Sequence, residues 1–418
     1  MERKMRKHFT GCALMFLLFF IYAFEAHASN IVLTSCSSSE VNDAISSASD
    51  GDTIACPSGT WSWKSSVTIN NKNITLQGTG IDGTTITLDS AGTPGIYVSS
   101  GNTKAFRITG FTFHSRVLIG EDRGDGIIRI LGGSGWRIDH SKFLIYSDRT
   151  NWDGGNAIVA RNGAVGLIDH NEFRGSPNSS GCWHSAVYAL RDNTSGWALP
   201  SQIGTGNNTM FIEDNIMEET RTDCFSHNGH TVDSAGGFYV FRHNKVTNLN
   251  TDAHGFCQNY GTREFEISNN DLYVTGNNVL WALTETRGGT GVIYNNVNHG
   301  PSSSGAGIWL VEYRDGNSGS CGSIVQNGIS ANSDCGSKEG YPCTDQIGRG
   351  QNQKSDPLYI WNNTGMSITN DNPSYIQSGR DYVLNQGPKP GYTPYPYPHP
   401  LSGGGNSPNP PTNIRVNQ

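Results

Sequence analysis

Charge is scarce in this chain, and basic charge is scarcer still. Only 16% of the 418 residues are Asp, Glu, Lys or Arg, with 29 basic groups against 36 acidic ones. That balance disfavours nucleic acid and anionic membrane surfaces as partners, because both are recognised through concentrated basic charge. Long apolar runs are also missing. The one sustained stretch, residues 13–24, is too short to span a bilayer comfortably. A mean hydropathy of −0.45 argues against a membrane bundle. No Cys-x-x-Cys pair occurs, which removes the usual thiolate zinc site. Helical periodicity shows in one short early stretch, residues 39–49, where Val41, Ala44, Ile45 and Ala48 share a face and Ser39 offers a cap.

What the chain does have is glycine, 52 of them, and short alternating apolar segments broken by Asn and Gly. This is the pattern of many short strands joined by turns. One phrase recurs: Phe241-Arg242-His243-Asn244, Ile267-Ser268-Asn269-Asn270, Ile293-Tyr294-Asn295-Asn296, a step of 26 residues each time. Equivalent marks at 78, 110, 141, 171 and 215 extend it backwards with steps of 32, 31, 30, 44 and 29. A repeat of this size means stacked coils, here an all-β solenoid. Asn at each mark tolerates left-handed backbone, and stacked Asn side chains can bond from coil to coil. The 44-residue step holds residues 191–208, read as a loop projecting from the stack. Past Asn296, residues 308–313 and 358–363 continue as strands. The Pro-rich segment 387–400 is expected to lie extended along the outside, because Pro forbids ladder pairing.

The N-terminus reads as a signal peptide over residues 1–28. Arg3, Lys4, Arg6 and Lys7 precede the apolar stretch, and Ala26-His27-Ala28 has the form of a cleavage site. Its removal leaves 25 basic against 34 acidic groups, a net charge of −9. The expected protein is therefore secreted, at the cell surface or periplasmic, without membrane insertion after cleavage. It is expected to be a monomer, with one domain over 29–400 and a Gly/Pro/Asn-rich tail over 401–418. Eight cysteines remain, an even number that implies disulfides on an exported chain. Cys36–Cys56 and two among Cys321, Cys335 and Cys343 are the pairings expected. Cys224 and Cys257 fall in successive coils.

The opening motifs carry a resemblance. The helix is followed by Gly51-Asp52-Thr53-Ile54-Ala55-Cys56-Pro57-Ser58-Gly59-Thr60-Trp61, then by Ile74-Thr75-Leu76-Gln77-Gly78 and Thr84-Thr85-Ile86. Together they resemble the start of secreted bacterial right-handed parallel β-helix proteins of the pectin-lyase-like superfamily. The resemblance implies a right-handed parallel β-helix with an N-terminal capping helix that covers the first coil. It also implies an extracellular protein acting on, or binding, a polysaccharide.

The densest polar clusters fall at Asp223, His227 and His230, then Asp252, His254 and Arg263, then Glu285 and Arg287. Stacking would bring such positions to one strand spacing of each other. A polysaccharide lyase is the favoured expectation. β-Elimination beside a uronate needs a cation for the carboxylate, a base and an acid. Arg263 and Arg287 suit the carboxylate, and His254 or His230 suits the proton transfers. Asp223 and Asp252 suit Ca²⁺ or the orientation of a His. Trp281, Glu285 and His227 are candidates to contact the substrate. Trp136-Arg137-Ile138-Asp139-His140 resembles an element of pectate lyases, although their R-x-P-x-x-R element is absent. A glycoside hydrolase is the second expectation, with Asp223 and Asp252 as its acids. Thr222-Asp223-Cys224 and His254-Gly255 resemble polygalacturonase elements, but Thr stands where an Asp would be and no R-x-K follows. A non-catalytic adhesin is the third, with Trp152, Trp183, Trp197, Trp281 and Trp309 available to stack on sugars. His140, His170 and His243 sit at turn marks and read as structural. Arg263 and Arg287 have an alternative use as bridges between coils, to Glu266 or Glu285.

Overall fold

The computed structural model describes residues 28–119, 124–148, 154–191, 193–221, 229–253, 261–275, 280, 282–300, 306–311, 325–326, 329–330 and 345–403. The chain winds as a right-handed parallel β-helix, with most coils contributing a strand to each of three faces. The first face is a twelve-stranded parallel sheet and the second a nine-stranded one. The third is built from six strands and then four. One coil shows the plan: His230–Ala235 lies on the third face, Phe238–Arg242 on the first and Lys245–Thr247 on the second. Thr251–Ala253 then returns to the third.

Alternation within each strand sends every second side chain inward. On the first sheet the inward register column runs Ile54, Leu76, Ile108, Ile138, Ile168, Ile212, Phe241, Ile267, Ile293 and Ile360. These side chains are 0–2% exposed, and each contributes about 1.5–3 kcal/mol by burial. On the second sheet Phe113, Phe143 and Phe173 stack at 5.5 and 4.9 Å. Because every coil buries its apolar side only against its neighbours, the first coil needs a lid. The helix Ser38–Ser47 supplies it, burying Val41, Ala44 and Ile45. Its cap is Ser37, two residues before the expected Ser39, with the Ser37 hydroxyl accepting from the Glu40 N–H. The Cys36–Cys56 bridge forms as expected and fastens this lid. Cys182 is also disulfide-bonded. Cys224, Cys257, Cys321, Cys335 and Cys343 lie outside the described residues.

The turn from the first sheet to the second carries the asparagine ladder. Each ladder amide accepts from the previous coil: Asn171 N–H to Asn215 Oδ1, Asn215 to Asn244, Asn244 to Asn270, Asn270 to Asn296 and Asn296 to Asn363, all at 2.9–3.1 Å. The left-handed residue is the one before the ladder Asn, which corrects the expected assignment. His140, His170, Asp214, His243, Asn269, Asn295 and Asn362 have φ of 48–58°. The ladder Asn keeps ordinary backbone because its buried side chain must reach both the adjacent coil and its own.

The outer side of the first sheet is covered. The segment 387–400 runs along it as a strap, antiparallel to the coil order. Lys389 donates to Thr290 Oγ1 (2.7 Å), Tyr392 to Glu266 (2.6 Å) and Tyr397 to Asp214 (2.7 Å). Arg242 donates to the carbonyls of Tyr395 and Pro396 at 2.7 and 2.8 Å. The long loop does not project. It contains the helix Asn193–Ala198 and folds onto the same side, with Trp197 3% exposed. There the Ser201 hydroxyl and the Gln202 N–H donate to Glu264.

Candidate functional site on the third face

Strand register decides which polar residues can meet. Asp252 pairs with Glu285, and Glu285 pairs with Trp309. The flanking positions Ile308 and Leu310 belong to the core, so Asp252, Glu285 and Trp309 leave the opposite, outer side of the wall. A parallel ladder holds in-register Cα atoms about 4.8 Å apart, which places two carboxylates side by side. Both are covered, Asp252 being 0% and Glu285 1% exposed, whereas the Trp309 side chain is half-buried. Glu285 Oε1 accepts from Arg287 Nε at 2.6 Å. His230, at the start of the preceding third-face strand, brings Nδ1 to 3.2 Å from Asp252 Oδ2. Its side chain keeps 14% exposure and forms the outer rim of the group.

The row continues toward the N-terminus through residues that sequence reasoning did not single out. The His184 ring lies 5.3 Å from the His230 ring, edge to face, and shares a 2.9 Å hydrogen bond with the Tyr188 hydroxyl. Tyr188 pairs in register with Asp233, a buried carboxylate on the His230 strand. Behind the wall, the Tyr239 hydroxyl donates to the Asp252 carbonyl at 2.7 Å. Burial first, and then Asp252 and Asp233, push that phenol well above its ordinary range, so it serves as a neutral donor. The only sequence signal for the missed residues was the polar pair His184-Ser185 ahead of an apolar strand.

The expected site residues therefore divide. Asp252, His230, Glu285 and Arg287 come together; Arg287 pairs with Glu285 two residues away in the same coil, not as the bridge between coils expected above. Arg263 engages a different neighbourhood. Its guanidinium lies over the rings of Trp197 and Phe238, 5.7 and 5.6 Å from their centroids, and donates to the Leu199 carbonyl at 3.3 Å. Burial lowers the pKa of this guanidinium. His254, Trp281, His227 and Asp223 lie outside the described residues. Of the sugar-stacking candidates, Trp183 and Trp197 are packed away at 1% and 3% exposure, and Trp152 is not described. Among the described residues, Trp309 alone combines partial exposure with a place beside the carboxylates. Among the described residues no group of three or more His, Cys, Asp or Glu side chains could hold a metal ion. Asp252 and Glu285 alone fall well short of the six to eight oxygens that Ca²⁺ takes.

The Trp-Arg-Ile-Asp-His element lies elsewhere. Arg137 donates bidentately to Asp169 at 2.8 and 2.6 Å, and Arg107 to Asp139 in the same way. The rings of His140 and His170 stack at 5.1 Å. This is first-sheet structure, and Arg137 also donates to the Leu401 carbonyl just beyond the strap.

No family model and no curated protein sequence matches the chain. Among solved structures it is similar to an alginate lyase from Paenibacillus sp. str. FPU-7, at 12% identity and a TM-score of 0.38, over 85% of this chain and 99% of that one. It is also similar to the catalytic domain of a GH87 α-1,3-glucanase in complex with nigerose, at 10% identity and a TM-score of 0.36, over 86% of this chain and 68% of that one. A PL6 family alginate lyase variant aligns at 15% identity and a TM-score of 0.35, over 87% of this chain and 52% of that one. Likenesses this distant carry no argument about chemistry, which rests on the residues themselves.

Proposed function

We propose that the protein is an exported polysaccharide-active enzyme whose working face is the third face, and that it hydrolyses glycosidic bonds with the carboxylate pair Asp252 and Glu285. The observation that carries this reading is the in-register placement of that pair on the outer side of the wall. Glycosidases that retain configuration hold their two carboxyls about 5 Å apart, one as acid and one as nucleophile. Adjacent strands of a parallel sheet impose about that spacing. Glu285, ion-paired with Arg287, takes the nucleophile's part and attacks the anomeric carbon. Asp252, beside His230, protonates the leaving oxygen and then draws the proton from the water that releases the sugar. The half-exposed Trp309 offers a ring face on which a pyranose can stack.

Hydrolysis is preferred here to the β-elimination favoured by composition because of what the two arginines do. Arg287 is committed to Glu285, and Arg263 is packed against Trp197 and Phe238, so neither is placed to neutralise a uronate. The net negative charge points the same way. The disulfides and the basic-then-apolar N-terminus support export.

A glycan panel read by reducing ends and by the ultraviolet absorbance of the unsaturated uronate that elimination would create tests the reading. New reducing ends without absorbance are expected. Reducing ends with absorbance would restore elimination, and binding without either would leave a glycan-binding protein. Repeating the panel with EDTA tests the Ca²⁺ expectation attached to Asp223.

A further inference from the structure

Two coils before the carboxylate pair, the turn between the second and third faces opens into a groove of about 330 Å³. Arg174, Gly175, Ser176, Ser179, Glu219 and Arg221 line it. The groove adjoins the site. A Cβ built on Gly175 would stand 3.5 Å from both Trp183 and Glu219, and Trp183 is followed directly by His184 of the row described above. We infer that this groove is a distal subsite that binds a neutral, hydroxyl-rich sugar ring of a glycan lying along the helix axis; the inference rests on the polysaccharide reading and deepens it.

The chemistry of the walls sets the class of ligand. Arg174 is held between Glu172, at 3.3 Å, and Glu218. Arg221 donates through Nη1 to the Ser179 carbonyl at 3.2 Å, and its N–H donates to Glu219 Oε1 at 2.9 Å. Glu219 is fully buried. Two guanidinium groups thus face three carboxylates, so the surroundings carry net negative charge and repel a uronate. Planar, charged donors and acceptors in fixed positions are what vicinal hydroxyls accept and donate to. Two coil spacings place the groove about 10 Å from the carboxylate pair along the axis, beyond the rings that flank the cleaved bond. It therefore reads chain length and not the bond broken.

Affinity electrophoresis of the full chain carrying Glu285→Gln tests this without turnover. The gels contain a soluble neutral glucan or a neutral mannan, with polygalacturonate and alginate as the anionic arm. Retardation is expected in a neutral gel. It should weaken about tenfold or more in Arg221→Ala, the loss of a charged hydrogen bond. Thr220→Trp, which adds bulk at an exposed lining position, should give a similar loss. Thermal melts of both confirm that they fold, and Thr220→Trp decides the matter if Arg221→Ala does not. Unchanged retardation of the folded variants, retardation only in the anionic gels, or no retardation of the parent in any gel overturns the proposal. The two readings separate cleanly. Glucan binding through Arg221 in a protein that cleaves nothing would remove the hydrolase reading alone. Cleavage with unchanged binding in the groove variants would remove the groove alone.

Discussion

The first and third faces use their charged side chains differently. On the first face the charges answer one another: Arg107 with Asp139, Arg137 with Asp169, Arg242 with Glu213. The strap and the folded-back loop then cover them. Burying such pairs is tolerated because each guanidinium and carboxylate finds a matched partner and further hydrogen bonds. On the third face two carboxylates occupy adjacent rungs, and a histidine and an arginine reach them from either side. Carboxylates stand in register on the first face too, Asp139 beside Asp169 and Asp169 beside Glu213, but each of these has an arginine of its own. The comparison teaches that the density of polar residues does not mark a site. The mark is the partner: a histidine stands beside Asp252, where Asp139, Asp169 and Glu213 each have an arginine.

Four experiments sharpen that contrast. Glu285→Gln should lower turnover on a responsive glycan by about a thousandfold or more, the scale of losing a catalytic carboxyl, while the thermal midpoint stays within a few degrees. A large drop in the midpoint with turnover retained would make Glu285 structural and dissolve the distinction. Arg242→Ala should do the reverse. It strands the buried Glu213, which keeps only the His399 N–H at 2.7 Å, and should cost about 3–5 kcal/mol in denaturant unfolding, with turnover by the folded fraction preserved.

Acidification should loosen the strap before the coils. Burial pushes His399 down to about 4, from 6.5, with Arg242 adding to the effect. A base that is harder to protonate folded than unfolded leaves stability intact above pH 6.5, and stability is lost as pH falls toward 4. About 3 kcal/mol is at stake. Asp139 acts later: burial alone would raise it, but His140, Arg107 and Arg137 outweigh this and hold it at about 2. Its contribution is present above 3.8 and disappears only as pH falls through 2. Limited proteolysis between pH 7 and 4 should therefore release the segment 387–403 first; cleavage within the coils at the same pH would contradict this. The smallest change is expected from Asn244→Ala, which removes one rung between Asn215 and Asn270 and should cost about 1–3 kcal/mol, visible in unfolding and not in turnover.

Much of the architecture was legible in the residues, for reasons that can be named. The steps ending at Asn171, Asn215, Asn244, Asn270 and Asn296 mark true coils, since a buried amide bonding its equivalent one coil away must recur once per coil. The lid helix and the external path of the Pro-rich segment follow from local chemistry. The projecting loop was misjudged because its polar composition hid Trp197, which anchors it onto the first sheet. The site was half legible. His230, Asp252, Glu285 and Arg287 were named as residues; which of them meet was not readable, because loops of unequal length intervene and a slip of one residue reverses a side chain's facing. Arg263 and Arg287 look alike as sequence, yet one packs on Trp197 and the other on Glu285.

By itself, then, the sequence determined the repeat, the capped all-β solenoid and the inventory of ionisable groups, since these depend on periodicity and residue type. Only the tertiary structure decided that Asp252 and Glu285 share a rung column facing outward, that Arg137 and Arg242 serve the strap, and that a groove opens beside Trp183. Those outcomes depend on register between coils far apart in the chain, and register is set by the whole stack at once.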